Sequence, residues 1–214
     1  MTLSIRSFNL GPLQTNAYLL QGDDPQRAVI IDPGMNPGPL LRAIESLTIE
    51  AILLTHAHFD HIGGVEEIRN AKGCPVYLHA LEQDWLTSPK LNGSLMWPEA
   101  SPPISTGPAE YDLAEGQQLN LIGHTFKVFH TPGHSPGSVS FLCGKDLFSG
   151  DVLFRQGVGR TDLPGGGNGI CTIPFRINCF RLEMTLRSIV VTDPKHPLVM
   201  RKPTIRISGK FDKR

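Results

Sequence analysis

Thr55-His56-Ala57-His58-Phe59-Asp60-His61 packs three histidines and an aspartate into seven residues. Imidazole nitrogens and carboxylate oxygens are the ligands zinc takes when one coordination position is kept open for water. His56 and His58 are two apart, so at a strand end both can lean to one side. Asp60 and His61 follow in the turn and can reach a second metal. A second motif, His130-Thr131-Pro132-Gly133-His134-Ser135-Pro136-Gly137-Ser138, makes a loop stiff enough to hold one imidazole rigidly. His134 is the candidate third nitrogen ligand of the first metal, and His130 a hydrogen-bonded support. Phe148-Ser149-Gly150-Asp151 then offers a carboxylate that can bridge two ions about 3.5–4 Å apart. Asp32, at another strand end, is placed to orient an imidazole N–H. His79 and His124 lack nearby partners in sequence and are expected to be structural or exposed.

These residues need elements to carry them. Asn16–Leu20 and Ala28–Ile31 read as two strands joined by the turn Gly22-Asp23-Asp24-Pro25. Leu40, Leu41, Ile44 and Leu47 fall at helical spacing, predicting a helix over 39–47. The apolar run Ala51–Leu54 predicts a buried strand that ends at the histidine motif. A helix is expected over 62–71, a short strand over 76–78 and a short helix over 81–86. Strands are expected over 119–121, 125–129, 138–142 and 145–149. Thr87 to Pro108 is a long Pro/Ser/Gly-rich loop holding Leu91, Leu95, Met96 and Trp97. Such an apolar cluster is either a lid over a site or a plug folded back into the core. The pattern fits an α/β chain built as an αββα sandwich, two sheets face to face with helices outside.

The chain has 214 residues, 40% of them hydrophobic, enough for one real core. It contains no apolar run of membrane-spanning length. Its first residues lack the basic and apolar regions of a signal peptide. Cys74, Cys143, Cys171 and Cys179 show no paired metal or redox spacing, so a reduced cytoplasm is the expected compartment. Net charge is zero, yet ten of the 20 Lys and Arg lie in residues 175–214 against three acids there. A basic tail raises nucleic-acid binding as an expectation, and a weak one here.

T-H-A-H-F-D-H, H-T-P-G-H-S-P-G-S and F-S-G-D together resemble the motif ladder of the metallo-β-lactamase superfamily. The flanking strings G-P-L-Q-T-N-A-Y-L, I-I-D-P-G and G-V-G-R-T-D-L-P-G-G resemble its glyoxalase II-like, hydroxyacylglutathione hydrolase-like branch. The resemblance covers roughly residues 5–166. It implies His56, His58 and His134 on a first zinc, Asp60 and His61 on a second, and Asp151 bridging. It implies hydrolysis of a small thioester by a metal-bound hydroxide, with Asp60 also orienting that hydroxide. A related reading is a persulfide dioxygenase using one iron on the first-site histidines. A third is an inactive fragment of the family.

The family's remaining ligand, the histidine of a Gly-His-Gly-Pro motif, is expected near position 192. Val191-Thr192-Asp193-Pro194 stands there instead. Codons for Gly-His-Gly-Pro, read one nucleotide late, spell Val-Thr-Asp and begin a proline codon. The same shift permits a family-like ending over 195–207 and an amphipathic helix over 171–179. We therefore expect residues 1–166 to form the metallo-β-lactamase-fold domain and 167–214 to be out of frame, with the slip in the codons of Gly165-Gly166-Gly167. On that reading the second metal is held more weakly. His196 is then no ligand, and the basic tail is an accident of frame. Oligomeric state is not legible in the sequence.

Overall fold

The computed structural model describes residues 3–154, 157–167 and the backbone of strand 188–190. A six-stranded sheet runs in chain order: β1 (Ser4–Leu10), β2 (Thr15–Gln21), β3 (Arg27–Ile31), β4 (Thr48–Leu53), β5 (Val76–His79) and β6 (Tyr111–Leu113). The first three strands pair antiparallel; β3 to β6 pair parallel. The second sheet contains β7 (Gln118–Leu121), β8 (His124–His130), β9 (Val139–Cys143) and β10 (Asp146–Phe148), joined antiparallel. A strand at Ser188–Val190, β13, adds parallel to β10. Between them Leu153–Phe154 (β11) and Gly157–Val158 (β12) form a small ladder.

Alternation along the central strands builds two cores from one sheet. Leu19, Ile30 and Ile52 point toward the helices and pack with Leu40, Ile44, Ile62, Val65, Ile68 and Leu86. Their neighbours Tyr18, Leu20, Val29, Ile31, Ala51 and Leu53 point the other way, against Phe126, Val128, Phe141 and Phe148 of the second sheet. A strand covered on both faces needs apolar residues at every position, which is why Val29–Ile31 and Ala51–Leu53 read as continuous apolar runs. Helices, first sheet and second sheet are thus three layers of the αββα sandwich. The helix expected on the far side falls at 171–179, outside the described residues.

Two helices differ from expectation. The first, α1, is Gly38–Ala43 rather than 39–47. Ile44 and Leu47 still face inward or half inward, but the chain unwinds into a turn (Leu47 N–H to Ile44 O, 2.9 Å). Thr48 must then pair beside Gln26 (2.8 Å), so the helix ends where the strand begins. The helix predicted over 62–71 is two: α2 (Phe59–Ile62) and α3 (Val65–Lys72). Gly63-Gly64 separates them, and position 64 has no room for a side chain: a Cβ there would lie 2.8 Å from the Gly34 carbonyl oxygen. The Asp32–Gly34 turn is packed directly against this break, with Gly34 N–H donating to His61 O at 3.1 Å. A fourth helix, α4, covers Gln83–Thr87.

Parallel strands end together, and their C-terminal ends form the natural edge for a site. Asp32 follows β3, His56 follows β4, and Ala80–Glu82 follows β5 as a single 3₁₀ turn. From the second sheet, the 131–137 loop follows β8 and Asp151 follows β10. Val139 N–H donates to Thr55 O (2.8 Å), stitching the two sheets at this edge.

Candidate metal centre

All six sequence-predicted ligands arrive at that edge. His56, His58 and His134 form one group whose ligand atoms lie within 4.8 Å of one another, and His56, His61 and Asp151 form a second under the same limit. Asp151 reaches both: one carboxylate oxygen is 3.3 Å from His61 Nε2, the other 3.7 Å from His134 Nε2. His58 Nδ1 and His134 Nε2 converge to 2.9 Å. Asp60 stands beside the second group, 3.5 Å from His61 Nε2, and accepts a hydrogen bond from Thr15 Oγ1 at 2.5 Å.

The outward-facing ring nitrogens are each held. His56 Nδ1 meets Thr55 Oγ1 at 3.0 Å, His61 Nδ1 meets Asp32 Oδ2 at 3.0 Å, and His134 Nδ1 meets the Arg160 carbonyl at 2.9 Å. This turns the Nε2 atoms of all three rings toward one space. His56 Nε2 is buried there with no hydrogen-bond partner, and His61 Nε2 faces the carboxylates of Asp151 and Asp60. Buried polar atoms are almost always satisfied, so an orphan pointing into a ring of ligand-type groups calls for a cation. The donor set is nitrogen and oxygen without thiolate, which suits zinc, iron or manganese. The residues fit a metal, and by position they fit two.

Asp32 has the expected role and a second one. Its carboxylate also accepts from Thr55 N–H (2.8 Å) and Thr55 Oγ1 (2.6 Å), so it steers His61 directly and His56 through the threonine. It does this from a left-handed backbone conformation, φ +48°. Gly150 is required by the same crowding: its φ is +50° and a Cβ there would fall 2.2 Å from Thr55 Oγ1.

The electrostatics divide the site. Burial, together with neighbouring His61, His58 and His134, holds His56 far below the ordinary imidazole range. Burial and His134 bring His58 down to about 3. Both rings are therefore neutral, the form that binds metal. Burial also opposes charge on His61, but Asp60, Asp151 and Asp32 outweigh it and push its pKa well up. Burial raises Asp60, opposed by the charge of His61. For Asp151 burial is overcome by His61 and His134, and its carboxyl drops to about 2.

The other histidines lie off the centre. His130 Nε2 bonds the Pro136 carbonyl (2.9 Å), bracing the loop that carries His134, as expected of a support. His79 stacks on His130 with ring centroids 4.3 Å apart, and its Nδ1 accepts from Leu81 N–H. His124 is half-buried with an unpaired Nε2. Three residues beside the centre gave no sequence signal. Thr15 is 45 positions from Asp60. Trp85 of α4 sets its ring 5.6 Å from that of His58. Glu82 is fully buried between the two histidine loops.

The 88–108 loop turns its polar residues inward. Asn92 is fully buried, donating to the carbonyls of Trp85 (3.1 Å) and Ile104 (2.9 Å), while its own carbonyl accepts from Phe59 N–H (3.0 Å). Leu95, Met96 and Trp97 are exposed at 55%, 49% and 36%, so they are no core plug. The loop is tied to the ligand segment itself at Phe59. The position near 192, where a further ligand was expected, and His196 lie outside the described residues.

Residues 10–177 match the metallo-β-lactamase superfamily. The chain belongs to that superfamily. A relative named probable metallo-hydrolase YqgX, from Bacillus subtilis (strain 168), is 41% identical over 91% of this chain and 87% of its own length. Hydroxyacylglutathione hydrolase GloC of Haemophilus influenzae is 33% identical over 77% of this chain and 78% of its own. Among solved structures, the B3 metallo-β-lactamase BLEG-1 superposes with a TM-score of 0.71 at 52% identity, covering 76% of this chain and 79% of that one. TTHA1623 in a di-iron-bound form gives 0.70 at 38% identity, with 90% and 92% covered. Superfamily, fold and relatives place the chain in a metallo-hydrolase superfamily, with a His/Asp cluster that could hold metal. No helix among the described residues is long and apolar enough to cross a membrane.

Proposed function

We propose that this chain is a metal-dependent hydrolase of small thioesters, of the hydroxyacylglutathione type, with zinc as its working metal. The observation that carries the metal part is the pair of three-residue groups sharing His56, with Asp151 reaching both. His56, His58 and His134 would hold the first ion, and His61, Asp60 and Asp151 the second. Bound ions would supply Lewis acidity and lower the pKa of water toward neutrality. The protein's own residues do the rest. Asp60, fixed by Thr15, orients the attacking water and takes its proton. Trp85 and the exposed apolar loop exclude solvent from one side and receive the acyl or thiol portion. The thioester assignment draws on the GloC relative. The test is hydrolysis of a hydroxyacylglutathione and of a β-lactam by zinc-loaded protein, with metal counted by mass spectrometry. Thioester turnover that chelator abolishes and zinc restores is expected. Turnover of the β-lactam alone would overturn the substrate class.

A second reading is a mononuclear iron persulfide dioxygenase. It is favoured by one feature, the self-contained His56, His58 and His134 group, which holds a single ion without Asp60 or His61. One iron per chain with oxygen consumption, in place of two zincs, would select it.

We further propose that the reading frame changes near Gly165–Gly167, so the chain as written lacks the last ligand and hydrolyses slowly. Matches to GloC and BLEG-1 leave similar unmatched fractions on both sides, as a frame change at constant length would. The Bacillus match, which runs over 91% of the chain, pulls the other way. Resequencing the Gly165–Gly167 codons decides it.

A further inference from the structure

Glu82 is 0% exposed, and its carboxylate hydrogen-bonds to both histidine loops. One oxygen accepts from Ala57 N–H at 2.6 Å, the amide between His56 and His58. The other accepts from Ser135 Oγ at 2.5 Å and from Gly137 N–H at 2.7 Å, in the loop that follows His134. Ser135 Oγ also contacts Ser138 Oγ at 2.7 Å. A buried carboxylate is costly unless donors surround it, and here the three donors Ala57 N–H, Ser135 Oγ–H and Gly137 N–H come from the histidine-bearing segments. Gly137 has no side chain where one would collide: a Cβ there would lie 2.8 Å from Glu82 Cγ. The loop is shaped around this carboxylate.

We propose that Glu82 is a positioning residue that clamps the His56–His58 segment to the His134 loop at the spacing a metal ion requires. Each loop comes from a different sheet, and His58 and His134 must bring ring nitrogens to one ion from opposite sides. The backbone bond from Val139 to Thr55 fixes the sheets, but it lies before His56 and after the 131–137 loop. Glu82 fixes the segments that hold the rings. It touches neither metal nor substrate. This inference rests on the metal-centre reading above.

The experiment measures metal affinity by competition with a chelating dye, the visible spectrum of the cobalt-substituted protein, and melting of the metal-free protein. The variants are Glu82→Gln, Gly137→Ala and Ser135→Ala. The glutamine keeps size but presents N–H to donors; the alanine at 137 crowds the carboxylate without removing it. Glu82→Gln and Gly137→Ala are expected to weaken metal binding about 10- to 100-fold and to change the cobalt spectrum. Ser135→Ala, which leaves both backbone donors, is expected to do less. If Glu82→Gln fails to fold, the other two variants carry the test. Unchanged affinity and an unchanged cobalt spectrum in every folded variant would overturn the proposal, whatever the melting temperatures. Wild-type protein that binds no metal would instead overturn the metal-centre reading.

Discussion

The two ligand groups meet at Asp151, which reaches both, and differ in almost everything else. The first is three imidazoles, all buried, with no carboxylate but the far oxygen of Asp151. The second gathers Asp32, Asp60 and Asp151 around His61, and two of these carboxylates keep side-chain exposure of 14% and 27%. Burial keeps His56 and His58 neutral, whereas the carboxylates draw a proton to His61 when no metal is there. A cation entering the first group meets those two neutral rings; one entering the second must displace a proton. The difference teaches that a single edge of the sandwich can hold a closed, structural-looking half and an open, solvent-facing half of one centre, and that they should fill unequally.

The largest effect should come from removing what they share. Asp151→Ala is expected to abolish tight binding of both ions, because its two oxygens reach His61 and His134, a loss beyond the about 10- to 100-fold typical of losing a supporting hydrogen bond. Metal counting after gel filtration checks it. One ion retained at full affinity would break the assignment of Asp151 to both ions. The halves separate in the next pair. His58→Ala should remove the tight site, whereas His61→Ala should leave one ion bound and reduce thioester turnover. Equal metal loss in both variants would contradict the inequality drawn from their surroundings.

The candidate ligands were legible because they come in short strings of rare chemical types, so local spacing alone brings His56, His58, Asp60 and His61 together. The central strands were legible because burial on both faces forces continuous apolar runs. Strand β1 was not, since at the sheet edge Arg6, Ser7 and Asn9 mix polar with apolar positions. Glu82, Thr15 and Trp85 were not legible for another reason. Their role depends on a partner from 25 to 55 positions away, which no local pattern encodes. Asp32 was readable only in outline: its strand-end position suggested an imidazole partner, but its hold on Thr55 depends on the parallel pairing of β3 and β4.

That hold gives the third prediction. Asp32→Asn keeps one acceptor for Thr55 N–H but turns an N–H₂ toward Thr55 Oγ1 and His61 Nδ1. His61 then loses the acceptor that fixes its tautomer, and its Nε2 takes the proton that a metal must displace. Metal affinity at the second group should fall about 10- to 100-fold, with a smaller loss at the first through Thr55 and His56. Separate titration of the two equivalents would show it. A uniform loss would mean that Asp32 supports the fold of the edge rather than His61.

The smallest effect should come from the apolar loop, and it sharpens the open side of the comparison. Leu95, Met96 and Trp97 face solvent while the loop's polar residues anchor it at Asn92, hydrogen-bonded to the Phe59 amide. A loop tied to the ligand segment cannot move without that segment, so it makes a fixed wall rather than a free flap. Apolar side chains exposed at such a wall gain about 25 cal/mol per Å² only when something apolar covers them, and substrate is what we propose covers them. Trp97→Ala should therefore raise KM several-fold for a thioester with an apolar acyl chain, with little change in kcat. Metal content and melting temperature should stay at wild-type values, because the side chain contributes to neither ligand group nor core. Comparing acyl chains of increasing length separates binding from folding: the wild-type preference should grow with length and flatten in the variant. Identical KM values across the whole series, in folded and metal-loaded protein, would remove the loop from substrate recognition.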